Sequence, residues 1–247
     1  MKSIILCEGS TDFVLLQYFM RKVYKWQDGK TGESPKGKRI KPIRTLSKGM
    51  DQLSIGGCGG SSGILPGLDY IMEFNSLAAE GEEYDKVVII TDRDEEATES
   101  EYIAGIEKIL QDKQVIPSED ICNNKWIQCS YKNGHGKERI LHILLLVIPF
   151  ETTGAMETFL LNCISQEEEY DAKIIQKSKE FVSNADEEKR YLTKRRYITK
   201  AEFDVYFSIR TSAEQFLERQ HILKNIEWEN YLKIQNNFKK VEKLSNQ

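Results

Sequence analysis

Short apolar runs alternate with segments of helical apolar spacing through the first 165 residues. Strands are predicted at residues 3–8, 87–90, 126–131 and 140–148, and helices at 11–24, 65–79 and 98–111. The run at 87–90 shows no alternation of polar and apolar residues, which is typical of a central parallel strand covered on both faces. The pattern therefore predicts an α/β domain with a mostly parallel sheet and helices on both faces.

The pattern changes after about residue 165. Helical spacing then continues to the end, near residues 168–184, 200–208, 212–225 and 228–244, with high charge and no strand-like run. We therefore expect two parts, an α/β domain of residues 1–165 and a helical C-terminal extension of residues 166–247 packed on it.

Acidic residues stand where the predicted strands end. Glu8 ends the first strand, Asp92 and Asp94 follow the strand at 87–90, and Glu157 follows the strand at 140–148. Because the carboxyl ends of parallel strands meet at one edge of a sheet, we expect these acids to lie close together. Asp92 and Asp94 are two apart in an extended segment and can share one cation. The alternative is that they cap the following helix.

These residues resemble the signature of the topoisomerase-primase (Toprim) superfamily. The matches are Glu8-Gly9, Asp92-Arg93-Asp94 and, after the last strand, Glu157. The Glu-Gly-x-x-Asp form that ends at Asp12 looks most like the Toprim domains of OLD-type nucleases and like a small stand-alone family of uncharacterised Toprim proteins. The resemblance covers about residues 1–165 and implies a Toprim/Rossmann-like sheet.

The resemblance also implies a metal site and roles within it. Mg²⁺, or Mn²⁺ in its place, would be held by carboxylates, which supply the hard oxygen ligands that Mg²⁺ prefers. The implied catalytic residues are Glu8, as general acid or base, and the metal-binding pair Asp92 and Asp94. Glu8 is a candidate metal ligand together with this pair, and the remaining candidate ligands are Asp12 and Glu157, which would complete a second metal site.

The formal net charge of −4 hides two basic blocks. Residues 21–48 carry ten Lys or Arg against two acids, and residues 189–200 carry six cations, no acid and two tyrosines. The functional interpretation is that these blocks bind a phosphate backbone; the alternative is that they are solvated faces. The candidate nucleic-acid contacts are Lys36, Lys38, Arg39, Lys41, Lys194, Arg195 and Arg196. Gly, Pro and Ser among the cations of residues 25–48 indicate a mobile excursion there.

Composition excludes several other classes. Five cysteines without a Cys-x-x-Cys pair argue against a disulfide framework and a zinc site. The glycine-rich residues 56–63 lack the Gly-Lys-Ser/Thr ending of a Walker motif, so we expect a flexible turn and no ATP site. Neither a secretory signal nor a membrane-spanning apolar run is evident, so we expect a cytoplasmic protein with no membrane partner.

Among the activities found in the Toprim superfamily, a nuclease fits the length of this chain best. A topoisomerase needs a further domain with a nucleophilic Tyr, and a primase needs zinc and helicase-binding modules. The expected partner is nucleic acid, DNA in preference to RNA, together with a separate ATPase or a second copy of the chain. The main alternative is a non-catalytic Toprim-like binding module for nucleic acid or protein, as in a phage-defence complex. A receiver-like phospho-acceptor is a weaker alternative, because the strand at 140–148 delivers no Lys at its end.

Overall fold

The sheet is the centre of the computed structural model, which describes residues 1–29, 40–41, 43–211, 223–224 and 226–245. Its strands are β1 (Lys2–Cys7), β2 (Gln27–Asp28), β3 (Ile43–Lys48), β4 (Asp51–Gly57), β5 (Lys86–Asp92), β6 (Ile116–Pro117), β7 (Trp126–Lys132) and β8 (Glu138–Ile148). They form one eight-stranded sheet in the order β2-β3-β4-β1-β5-β8-β7-β6. The predicted α/β class is confirmed.

The four central strands are parallel and the outer strands are antiparallel. β1 pairs in parallel with β4 and β5, and β5 pairs in parallel with β8. In this register Cys7 lies beside both Gly57 and Ile90, and Asp92 lies beside Ile148. The carboxyl ends of the four central strands therefore share one edge of the sheet, as expected for a parallel core.

Helices cover both faces of the sheet. They are α1 (Ser10–Lys22), α2 (Ser61–Leu77), α3 (Thr98–Asp112), α4 (Met156–Glu167), α5 (Glu169–Ala185), α6 (Arg195–Arg210) and α7 (Leu232–Asn237), with 3₁₀ turns at Trp228–Asn230 and Lys239–Leu244. One core cluster packs α1 and the C-terminal helices against β1 residues such as Ile5, and the other packs α2 and α3 against neighbours such as Ile4. This alternation along β1 follows from the two-residue period of a strand.

Several boundaries differ from the sequence prediction. Residues 43–48 belong to β3, a regular strand that pairs antiparallel with β4, so this part of the predicted excursion is wrong. The predicted strands near 126–131 and 140–148 are confirmed as the antiparallel hairpin of β7 and β8. The expected domain boundary at residue 165 falls inside α4, and one hydrophobic cluster includes both α1 and α6. Most of the helix predicted at 212–225 lies outside the described residues.

The described helices include no membrane-spanning candidate. None of them is both long and apolar enough to cross a bilayer.

Candidate functional site

Glu8 is positioned by the ends of two adjacent parallel strands. It follows β1 directly, and its Oε1 accepts hydrogen bonds from the Thr91 hydroxyl and from the Asp92 backbone N–H at 3.0 Å. Its own carbonyl accepts from Gly60 N–H at 2.9 Å, and Gly60 has φ +123°, a conformation that favours glycine. The glycine-rich turn after β4 therefore helps to fix Glu8 at the edge of the sheet.

Asp12 and Asp92 are held by the N-termini of two helices. Asp12 Oδ2 accepts from Gly9 N–H at 2.9 Å in the first turn of α1, and Asp92 Oδ1 accepts from Met156 N–H at 2.9 Å in the first turn of α4. Backbone N–H groups at a helix N-terminus lack partners within the helix and favour negative charge. Each carboxylate thus has one oxygen fixed by the backbone while its side chain lines a shared cavity.

Glu157, the second residue of α4, is the most deeply buried acid of the cavity. It is 3% exposed, and its Oε1 has no hydrogen-bond partner among the described residues. A buried carboxylate oxygen without a partner is costly, so such a group calls for a cation or an additional donor. This atom is the strongest single indication that the cavity receives a positively charged ligand.

The pKa values of Asp12, Asp92 and Glu8 are raised by burial and by neighbouring acids. Burial raises the pKa of Asp12 to about 7, and the nearby charges of Glu157 and Glu8 add to this. Burial likewise raises the pKa of Asp92 well above its ordinary value, with further contributions from Asp12, Glu8 and Glu157. The pKa of Glu8 is also raised by burial, against the opposing hydrogen bonds from Thr91 and Asp92. Mutual repulsion of this kind is relieved when a cation binds.

Asp94 lies at the rim of the cavity, unlike the deeper Asp92. Its backbone carbonyl accepts from the Arg195 guanidinium at 2.6 Å, and its Oδ1 lies 3.5 Å from the same group. Its charge nevertheless contributes to the raised pKa of Glu8, so the two carboxylates are neighbours. The Asp-x-Asp pair thus has a half-buried member, Asp92, and an exposed member, Asp94, at the cavity mouth.

Helix α6 supplies the positive side of the site. Four residues on the first two turns of α6 line the cavity of about 230 Å³: Arg195, Arg196, Thr199 and Lys200. Their spacing places them on one helical face. The sequence prediction named Arg195 and Arg196 but not Lys200 as a contact, although Lys200 stood in the same basic block. Because that prediction began the helix at residue 200, the shared face was not visible.

The other predicted contacts have different outcomes. Lys36, Lys38 and Arg39 lie outside the described residues. Lys41 is exposed, and its backbone N–H donates to the Gly57 carbonyl at 2.8 Å at the end of β4. Lys194 is the residue before α6 and is exposed. Neither described lysine is among the residues that line the cavity with the acids.

The residues fit a magnesium ion that keeps part of its water shell. Glu8, Asp12, Asp92 and Glu157 offer hard oxygens, and Glu157 has the unpartnered oxygen noted above. Within the described part of the chain, no three His, Cys, Asp or Glu side chains are already arranged to hold one metal ion. Mg²⁺ is commonly bound by one or two carboxylates together with water and substrate phosphate, so this arrangement suits it better than a zinc or calcium cage.

Comparisons with known proteins identify a family and a fold. A family model described as "Protein of unknown function (DUF3226)" matches residues 2–241. The structure is similar to the crystal structure of hypothetical protein PH0156 from Pyrococcus horikoshii OT3, with a TM-score of 0.55 and 18% identity over 98% of each chain. At this identity the likeness concerns the fold alone. No curated protein matches the chain.

Proposed function

Since the chain belongs to the DUF3226 family of proteins of unknown function, we propose an activity from its site: metal-dependent hydrolysis of phosphodiester bonds in nucleic acid. The protein would act in the cytoplasm as a stand-alone Toprim-like nuclease. The resemblance of Glu8-Gly9 and Asp92-Arg93-Asp94 to the Toprim signature supports this proposal, and the arrangement of charges in the cavity supports it independently.

The observation that carries the proposal is the opposition of two charge types across one cavity. Carboxylates from the ends of β1 and β5 and from the first turns of α1 and α4 face cations from the first turns of α6. A phosphodiester needs both types, because cations bind its anionic oxygens and carboxylates hold the metal that acts on the phosphorus. A purely structural ion-pair cluster would not leave a buried carboxylate oxygen without a partner, as at Glu157.

Each residue has a role that follows from its environment. Asp12 and Glu157 are buried acids and Asp92 beside them is half-buried, and these three would hold Mg²⁺. When bound, the metal would neutralise charge on the scissile phosphate and lower the pKa of an attacking water. Glu8, whose raised pKa suits proton transfer, would take the proton from that water. Arg195 would bind the phosphate oxygens at the cavity mouth.

Cleavage assays with isosteric variants test the proposal. Purified protein is incubated with supercoiled and linear DNA, single-stranded DNA and RNA in Mg²⁺ and in Mn²⁺. Asp92→Asn and Glu8→Gln keep side-chain shape but remove charge, and each should reduce the cleavage rate by about 10²–10⁴-fold. The matched control is Glu119→Gln, which removes an exposed acid paired with Lys125 and should leave the rate unchanged.

Two results would contradict the proposal. Cleavage that persists in Asp92→Asn would show that the activity does not come from this cavity. If none of the substrates is cleaved in either Mg²⁺ or Mn²⁺, the result would favour the alternative, a non-catalytic module that binds nucleic acid through the same charged residues. The absence of a ready-made three-ligand metal cluster among the described residues is the observation that favours this alternative. Binding without cleavage, retained in Asp92→Asn, would be its signature.

A further inference from the structure

Two exposed tyrosines lie close in sequence to the cavity-lining residues of α6, one just before the helix and one in its first turn. Tyr191 is 71% exposed and Tyr197 is 39% exposed. Each has an arginine over its ring: the Arg190 guanidinium lies 5.4 Å from the Tyr191 centroid, and that of Arg196 lies 5.0 Å from the Tyr197 centroid. A single exposed ring needs no explanation, but two such rings within one basic block, each with a cation over it, offer stacking surfaces together with positive charge.

The loop that carries Tyr191 is held in place by its own hydrogen bonds. The Asp186 carboxylate accepts from the backbone N–H groups of Arg190, Tyr191 and Leu192 at 3.0, 2.9 and 2.7 Å. These bonds lower the pKa of Asp186, so the loop keeps this acceptor at neutral pH. The ring of Tyr191 is therefore presented by a defined turn, which lowers the entropy cost of binding a flat ligand to it.

The two rings lie close to the cavity in the chain. Tyr191 is four residues before Arg195, a span of at most about 14 Å of extended chain, and Tyr197 follows Arg196 directly. Arg196 itself lines the cavity and donates to the Tyr197 hydroxyl at 3.2 Å. A strand whose phosphate enters the cavity would thus bring its neighbouring bases to the tyrosines.

The size of the cavity restricts what can enter. Its volume of about 230 Å³ lies below the range of about 300–1,000 Å³ that is common for small-molecule pockets. The Arg195 contact with Asp94 closes one side, since it connects α6 to the segment after β5. One phosphate with its adjacent atoms fits such a space. In a duplex the phosphate is held against stacked base pairs, whereas the backbone of a single strand can bend away from its bases.

We infer that the substrate of the site is single-stranded nucleic acid, with unpaired bases stacked on Tyr191 and Tyr197 and a phosphate in the cavity lined by Arg195 and Lys200. This inference deepens the proposed function and rests on the same cavity. Aromatic rings and cations along a groove are the chemistry by which proteins bind single strands without sequence preference. Base stacking and phosphate binding do not involve the 2′-hydroxyl, so we expect both DNA and RNA strands to bind.

Fluorescence anisotropy with labelled oligonucleotides tests the inference. Single-stranded DNA, single-stranded RNA and a blunt DNA duplex of one sequence are titrated in EDTA, and again with Asp92→Asn protein in Mg²⁺. The single strands should bind at least tenfold more tightly than the duplex. Tyr191→Ala and Tyr197→Ala should each weaken single-strand binding by about tenfold, in line with the loss of one stacked base, and leave duplex binding unchanged.

Two controls separate stacking from loss of structure. Tyr191→Phe keeps the ring and should bind as the wild type does. Tyr170→Ala removes a ring that is 68% exposed in the first turn of α5, and it should have no effect. Tyr170 precedes Asp171, which forms an ion pair with Arg210, the last residue of α6. Tyr170 is therefore near the end of α6 that is opposite the cavity.

The outcomes distinguish the inference from the proposed function. Equal affinity for duplex and single strand, or an unchanged affinity in both alanine variants, would overturn the single-strand inference even if the protein cleaves DNA. Tight single-strand binding that depends on both tyrosines, without cleavage in Mg²⁺ or Mn²⁺, would support the inference and contradict the nuclease.

Discussion

The carboxylate cluster should make the metal-free protein less stable than a variant with one acid fewer. We consider Asp12→Asn. The amide keeps an oxygen that can accept from Gly9 N–H, as Asp12 Oδ2 does at 2.9 Å, but it carries no charge. The variant therefore removes repulsion from Glu157 and Glu8 while preserving the first turn of α1.

The magnitude follows from the pKa. Burial and the neighbouring acids raise the pKa of Asp12 from 3.8 to about 7. A tenfold change in proton affinity corresponds to about 1.4 kcal/mol, so ionised Asp12 at pH 8 costs the fold on the order of 4 kcal/mol. Part of that cost is shared with Asp92, and the amide has its own desolvation cost, so we expect a net gain of about 2 kcal/mol. For a chain of this size that raises Tm by roughly 4–8 °C.

Thermal unfolding in two buffers measures the effect. In EDTA at pH 8 the Asp12→Asn protein should melt above the wild type. In Mg²⁺ the wild type should gain about 1.4 kcal/mol at a concentration ten times Kd, because the ion binds only the folded state, and the variant should gain less. Glu119→Gln, at an exposed acid, should match the wild type in both buffers. A variant that melts below the wild type in EDTA, or an equal Mg²⁺ shift in both proteins, would refute this reasoning.

Three further predictions use the same unfolding measurement. Because the pKa of Asp12 is raised in the folded protein, the folded state binds more protons than the unfolded state between about pH 4 and pH 7. Without metal, the Tm of the wild type should therefore fall as the pH rises through this range, and the Tm of Asp12→Asn should fall less. A Tm that does not change with pH would contradict this prediction. Gly63→Ala should cost about 1–3 kcal/mol or more, because the new Cβ would lie 2.0 Å from the Cys58 carbonyl oxygen; wild-type stability would show that this turn yields easily. Phe203→Ala should cost about 3–5 kcal/mol as a fully buried core residue, whereas Phe181→Ala, at an exposed ring, should cost little; equal losses would contradict the core position of α6.

Three of the four central strands, β1, β5 and β8, could be predicted because each contains an apolar run that is visible in the local sequence. Residues 87–90 of β5 are buried on both faces and read as an unbroken apolar run. β3 was missed because its residues Ile43–Lys48 mix exposed, half-buried and buried positions, and its pairing with β4 is not visible in its own sequence. Outer strands of this kind are defined by their partners more than by their own pattern.

The candidate site could be predicted in part for a similar reason. Glu8 and Asp92 follow apolar strands, so their place at the sheet edge follows from topology. Lys200 was not assigned to the site, because the first turns of α6 line a polar cavity and the buried residues of the helix begin only at Phe203. The lack of a hydrogen-bond partner for Glu157 Oε1 among the described residues depends on long-range packing, so it could not be predicted from the sequence.

The packing of α6 explains how its cations are positioned on the same cavity as the acids. The later turns of α6 place Phe203, Tyr206 and Phe207 in the same hydrophobic cluster as α1 and α4. The position of the helix is therefore set by its apolar residues, and the cations of its first turns are carried to the cavity by that packing. Replacing Arg195 should change the charge of the cavity without moving α6, because each buried Phe contributes more to its position than a half-exposed ion pair does. Variants at the first turns of α6 can thus report on ligand binding directly, and the C-terminal helices form part of the site as well as part of the core.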